Sequence, residues 1–383
     1  MDFALNDEQR LLQQSVERLF ADRYQFDARK RYAQEPAGWS GDLWRQYAEL
    51  GLLGLPFAEE HGGIAGGSVE TMIVMEQIGR ALALEPYLAT VVLVGGLLQL
   101  GGNEKMQAEI LPKIAGGELT LAFAHAERQA RYDLADVTAT VRRDGANFIL
   151  DGAKSLVLHG DSAKKLVISA RLSGQRSDRE GLGLFLVDAG AAGVTIRGYG
   201  TVDGQRAAEV QLSGVRIDAG AAIGEPGKAY QLIERVADRA MAALCAEAVG
   251  AMAAMQETTV DYMKTRKQFG VTIGSFQALQ HRAAEMVVAL EQARSMAMLA
   301  TMIAADDDVR ARRQAISAAK VQIGRSGRIV GQAAIQIHGG IGMTMEAKVG
   351  HYFKRLTTID TMFGDADYHL GLLAEMGGLI AAA

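Results

Sequence analysis

The sequence predicts an α+β multidomain chain, with an N-terminal all-α domain, a middle antiparallel β domain and a C-terminal four-helix bundle. Three observations carry that expectation. Of the five prolines, Pro36, Pro56, Pro86 and Pro112 punctuate the first third, Pro226 stands alone, and residues 227–383 hold none. Proline inside a helix costs ~3 kcal/mol, so a long proline-free tail suits long, uninterrupted helices. The apolar period is helical up to about residue 117, alternates over 118–225 and becomes helical again afterwards. The cluster Gly224-Glu225-Pro226-Gly227 closes the alternating region. The expected domains are therefore 1–117, 118–226 and 227–383.

Asn6 is an N-cap candidate, and Leu11, Leu12, Val16, Leu19 and Phe20 follow it at helical spacing. Further helical patterns lie around 41–51, 68–84, 87–100 and 103–115. In the middle region a hairpin turn is expected at Asp144-Gly145. Strand-like runs follow at 166–172, 183–188 and 207–217. The tail reads as four helical segments, about 227–265, 275–304, 309–337 and 346–378.

Composition removes several classes of function. One cysteine in 383 residues excludes a disulfide scaffold. A net charge of -5 leaves no electrostatic footprint for nucleic acid. The lightly charged stretches Tyr87–Gly102 and Ala240–Gln256 fall short of the ~20 residues of a membrane span, so no membrane partner is expected. No basic stretch leads into an apolar one at the start, which points to a cytoplasmic protein. Glycine-rich nucleotide loops and a nucleophile elbow are absent. The seven histidines lack ligand spacing, so no metal is expected. Cys245, in an apolar run, reads as a buried thiol.

Two segments of the tail carry chemistry. Tyr262–Gln277 ends one helix, turns at Phe269-Gly270 and begins another, with Arg266 just before the turn. Gln336–Glu346 is a glycine-rich break containing Gly339 and Gly340. Such breaks let a ligand approach the main chain, and beside an arginine fork they suit a pyrophosphate. On spacing alone, both are equally well read as interhelical loops.

RKQFGVTIGSFQ and QIHGGIGMTMEAKVGHYFKRL resemble the flavin-binding signatures of the acyl-CoA dehydrogenase family. The helix–sheet–helix order resembles that family over the whole chain. ERQARYDLADV and YFKRLTTIDTMFGDADYHL look closest to its pimeloyl-CoA dehydrogenase small-subunit type. The resemblance implies FAD between the sheet domain and the C-terminal helices of a dimer of dimers. It assigns Arg266, Phe269 and Gln277 to one side of the diphosphate–adenosine grip, and Gln336, Gly339 and Gly340 to the other subunit's side. Phe123–Glu127, including Ala126, and Leu156–His159, including Leu158, match the segments facing the flavin ring. The implied reaction is α,β-desaturation of an acyl-CoA: a carboxylate takes the α-proton while the β-hydrogen leaves as hydride to flavin N5. Implied partners are an electron-transfer flavoprotein as acceptor, and either a homotetramer or a heterotetramer with a homologous large subunit.

The sequence departs from the family where Leu156 and Leu158 replace aromatic and hydroxyl groups. It departs again where Ala126-Glu127-Arg128 replaces the usual Thr-Glu-Pro. Most importantly, Phe363 stands where the family's common base is a glutamate. Phenylalanine cannot take a proton, although its backbone N–H can still polarise a carbonyl. Glu247 is the first candidate base, as the only charged residue in Ala240–Gln256 and on the stripe Ile233, Val236, Ala240, Leu244, Glu247, Ala251. Pairing with an arginine is the competing role for it. Asp365 is second. A chain without catalytic competence that completes a large subunit's FAD site is the alternative function.

Overall fold

The computed structural model describes residues 5–377. Asn6 caps the first helix, α1 (Asp7–Arg23), in a reciprocal box: the Gln9 N–H donates to its side chain at 2.8 Å, and the Asn6 N–H donates to Gln9 Oε1 at 3.1 Å. Next come α2 (Phe26–Tyr32), α3 (Gly41–Glu49) and α4 (Ser68–Ala81). A π-helical stretch, Leu88–Gly95, runs into α5 (Gly96–Gly101), and α6 (Glu104–Ala115) follows. The expected helix at 87–100 is present, but its first half is π. There the Thr90 hydroxyl donates to the Leu121 carbonyl at 2.9 Å and accepts from the Leu121 N–H at 3.1 Å. That side chain fastens the helix to the first strand.

Eight strands form the sheet: β1 (Leu121–Ala124), β2 (Thr140–Asp144), β3 (Asn147–Leu158), β4 (Lys165–Arg171), β5 (Leu182–Asp188), β6 (Val194–Gly200), β7 (Arg206–Asp218) and β8 (Ala222–Gly227). Their order is β6-β7-β3-β2-β4-β5-β8, with β1 beside β4. The β2–β3 hairpin turns over Gly145-Ala146, one residue past the expected Asp144-Gly145, with Asp144 paired opposite Asn147 and Gly145 at φ +62°. The wholly antiparallel expectation needs correcting, because β1 pairs with β4 in parallel, and β2 meets β4 the same way at Thr140. A helix precedes β1 rather than a hairpin, so no tight turn imposes the antiparallel direction. Phe148, Leu150, Val157, Leu166, Ile168, Phe185, Val210 and Leu212 form the buried core of the sheet.

The proline-free tail is helical as expected: α7 (Tyr230–Thr265), α8 (Gln277–Ile303), α9 (Val309–His338), α10 (Lys348–Thr361) and α11 (Ala366–Glu375). A two-stranded hairpin, β9 (Lys267–Gln268) and β10 (Val271–Thr272), separates α7 from α8. The fourth expected segment, 346–378, is two helices rather than one. Phe363 at φ +58° and Gly364 at φ +115° leave the right-handed helical region, and Asp365 then caps a new start. Two glycines let α4 and α7 touch backbone to backbone. A Cβ on Gly79 would lie 1.9 Å from the Glu247 carbonyl oxygen, and one on Gly250 would lie 1.8 Å from that of Glu76.

Two compact units arise from these elements. One gathers the chain up to Arg31, Ser68–Ala83 and the chain from Met241 onward; the other comprises Tyr32–Gly67 and Leu84–Ala240. Among the described residues, α8 alone is long and apolar enough to cross a membrane, with 39% of its apolar window buried. Core helices of soluble proteins meet the same criterion.

Candidate functional site

Within the helical unit the two tail motifs come together. Arg266 follows the end of α7, its N–H donating to the Tyr262 carbonyl at 2.8 Å, and the Ile273 N–H donates to the Arg266 carbonyl at 2.8 Å to close the hairpin. Phe269 at φ +54° and Gly270 at φ +83° form the turn, as a two-residue hairpin requires. Phenylalanine is unusual in that region, and here its ring is 93% exposed. The Arg266 side chain is also exposed, with no ion pair among the described residues. Gln277 is the exposed first residue of α8.

The second motif ends α9. Gly339, at φ +62°, caps it, its N–H donating to the Gln336 and Ile335 carbonyls. Gln336, Gly339 and Gly340 are exposed, and no atom lies within 4 Å of a Cβ built on either glycine. The main chain is open to close approach there. Tyr262 stacks on His338, with ring centroids 4.4 Å apart and an interplanar angle of 20°, which joins the two helix ends. His338 Nδ1 bonds the Ala334 carbonyl at 2.9 Å, and burial pushes the imidazole below its ordinary pKa. Both rings stand in the quoted motifs, yet only the fold reveals their contact.

Glu247 and Asp365 are both engaged. Arg355 on α10 grips Glu247 bidentately, Nε to Oε1 at 2.6 Å and Nη2 to Oε2 at 2.8 Å, and the Glu247 side chain is 2% exposed. Asp365 accepts from the Tyr368 N–H at 2.9 Å as the cap of α11. The Phe363 carbonyl bonds His369 Nε2 at 3.1 Å, while His369 Nδ1 meets Ser317 Oγ at 3.1 Å. Fully buried Lys320 donates to the carbonyls of Ile359, Asp360 and Met362, closing the end of α10. Cys245 is buried, and burial pushes its thiol up to about 12.

In the sheet-containing unit, Ala126 follows β1 and its carbonyl accepts the Ser155 N–H at 2.9 Å. The β3–β7 ladder breaks between Lys154 and Val157, leaving Leu156 at φ +50° and 52% exposed. Half-buried Leu158 pairs with Ala207. Sequence reasoning missed the ion pair below this surface, Lys154 Nζ to Glu127 Oε1 at 2.7 Å. Burial opposes the Glu127 charge, but the Lys154 ammonium and donors from Thr138 and Ala139 bring its pKa down to about 2. Among the described residues no cluster of His, Cys, Asp or Glu is arranged to hold a metal.

Two buried histidines set the response to acid. Burial, then the nearby Lys154 ammonium, pushes His125 down to about 3, and burial with Lys320 does the same to His369. Each of these groups, like Glu127, binds its proton more weakly folded than unfolded, so protonation favours the unfolded chain. The stability they contribute is whole above about pH 6.5 and falls towards about pH 3. Glu127 steepens the fall from about 4.5 down to about 2. Urea midpoints should decline continuously across this window; a flat profile would contradict the assignment.

The described residues thus place an open glycine break, an arginine fork and an exposed aromatic turn at two neighbouring helix ends. Family models for the acyl-CoA dehydrogenase N-terminal, middle and C-terminal domains match residues 6–118, 122–217 and 230–377. The chain belongs to the acyl-CoA dehydrogenase family, whose members are FAD-dependent oxidoreductases. It is 32% identical to acyl-CoA dehydrogenase FadE12 of Mycobacterium tuberculosis over 313 residues, 80% of each chain. To the probable acyl-CoA dehydrogenase YngJ of Bacillus subtilis it is 27% identical over 351 residues, 90% of this chain and 91% of that one. Among solved structures, the Tcur3481-Tcur3483 steroid ACAD superimposes with a TM-score of 0.86 at 28% identity, covering 97% of both chains.

Proposed function

We propose that this chain is the FAD-binding subunit of a heteromeric acyl-CoA dehydrogenase, and that a homologous large subunit supplies the carboxylate that removes the α-proton. The observation carrying this reading is that neither acidic candidate is free: Glu247 is locked on Arg355 and Asp365 caps a helix. The paired chain names of the steroid ACAD agree with a heteromer. The reading keeps the division into 1–117, 118–226 and 227–383.

The exposed residues fit the cofactor. Arg266 of one subunit offers a planar fork to the diphosphate, and the open backbone at Gly339-Gly340 of the adjoining subunit admits it. Phe269 offers a face to the adenosine part with Gln277 alongside, and Gln336 approaches from the adjoining subunit. Ala126 and Leu158 line the ring. Bound FAD supplies the acceptor for the β-hydrogen, which leaves as hydride. The Phe363 N–H remains to polarise the thioester carbonyl. The substrate is a bulky or dicarboxylic acyl-CoA, the acceptor an electron-transfer flavoprotein, and the setting the cytoplasm, with the complex a tetramer.

A second reading keeps Glu247 as the base of this chain, favoured by its place as the only charged residue in a buried stretch of α7. Purification of the chain alone and with its large subunit, followed by flavin absorbance and bleaching on acyl-CoA addition, separates the two. The first reading expects a yellow lone chain that bleaches only in the complex, with bleaching retained in Glu247→Gln. Bleaching by the lone chain, abolished in Glu247→Gln, returns the base to this subunit.

A further inference from the structure

Lys154 lies on β3 with its side chain 0% exposed, facing a Glu127 side chain that is 2% exposed. Lysine is almost never so deeply buried unless paired. Its ammonium donates to Glu127 Oε1 at 2.7 Å, to Ser169 Oγ at 3.1 Å and to the His125 carbonyl at 3.2 Å. Glu127 in turn accepts from the Thr138 N–H at 2.9 Å, the Ala139 N–H at 3.0 Å, Gln129 Nε2 at 2.8 Å and the Thr138 hydroxyl. His125 Nδ1 meets Ser169 Oγ at 2.9 Å.

The network therefore pins both chain neighbours of Ala126, His125 through its carbonyl and Glu127 through its carboxylate. Ala126 itself is tied to Ser155, the residue after Lys154, where the ladder breaks and Leu156 is turned outward. One lysine thus sets the turn and the bulge together. An apolar pair of similar volume is often as stable as a buried ion pair, so stability alone gives little reason for it. What the ion pair adds is direction: five donors and one carbonyl fix where each backbone lies.

We propose that Lys154 and Glu127 are positioning residues that hold the Ala126 turn and the Leu156 bulge as one rigid edge for the flavin ring. The inference rests on the flavin reading of that surface given above.

The test reconstitutes the full-length chain with FAD and compares wild type, Lys154→Met and the double variant Lys154→Met with Glu127→Leu. Urea midpoints, the FAD dissociation constant and the shape of the visible flavin band are measured. Lys154→Met should lose stability and the double variant should regain it. Both should bind FAD roughly tenfold more weakly, the scale seen when residues supporting a ligand's immediate contacts are removed. Their flavin band should shift towards that of free FAD. A double variant with wild-type affinity and band overturns the positioning role. If the charge variants fail to fold, Ser169→Ala removes one acceptor and leaves both charges; weakened FAD affinity supports the role, and unchanged affinity overturns it. A wild-type chain that leaves FAD in its free spectral form overturns the flavin reading itself, and this inference with it.

Discussion

Replacing Arg355 with leucine should destabilise the fold by about 3–5 kcal/mol, because it strands the Glu247 carboxylate where water cannot reach it. The geometry sets the scale. Two parallel N–H···O bonds of 2.6 and 2.8 Å hold the pair, and the side chains are 8% and 2% exposed. Glu247→Gln should cost less, since the amide oxygen still accepts one guanidinium bond, although it leaves Arg355 without its counter-charge. Replacing both residues with leucine should recover most of the loss, as apolar substitutes of similar volume often do. With Glu247→Leu as the second single variant, urea denaturation of wild type, the two single leucine variants and the double variant forms a double-mutant cycle. A single-variant loss below about 1 kcal/mol would mean that the pair is solvated in solution. The cycle also bears on function, because a base must be able to release its partner.

Arg266→Ala should have the opposite profile. Its side chain is exposed and has no ion pair among the described residues, so unfolding midpoints should stay within about 0.5 kcal/mol of wild type. FAD affinity should fall by about 10- to 100-fold, the equivalent of about 1.5–3 kcal/mol for hydrogen bonds to a charged group. Arg266→Lys should recover only part of this, since an ammonium lacks the planar fork that matches a diphosphate. Flavin fluorescence titration checks both variants. An unchanged dissociation constant in Arg266→Ala would remove this residue from the grip.

Local signals were readable where a short stretch of chain decides its own conformation. Asn6 and Gln9 complete their capping box three residues apart, and the Asp144-Gly145 signal marks a hairpin between adjacent strands to within one residue. The proline-free tail announced its helices for the same reason. Contacts between distant residues were not readable. Arg355 lies 108 residues from Glu247, and Lys154 lies 27 from Glu127, so no periodicity connects either pair. The parallel placement of β1 was hidden because a four-residue strand gives no direction of its own. The break in the last helical segment was visible only as Phe363-Gly364, one glycine in an otherwise helical run. The two flavin motifs were recognisable as motifs; the Tyr262–His338 stack that joins their helix ends was not.

Among the described residues, seven other than glycine have positive φ, and four of them, Leu156, His159, Phe269 and Phe363, lie in segments for which a flavin or substrate role is proposed. Each left-handed L-residue costs roughly 1–2 kcal/mol that glycine or asparagine would largely avoid. A screen for heat resistance alone would therefore favour Gly or Asn at these positions. At Leu156 and Phe269 it would erase side chains proposed to face the cofactor, so there the gentlest route to a hardier protein leads through weaker FAD binding.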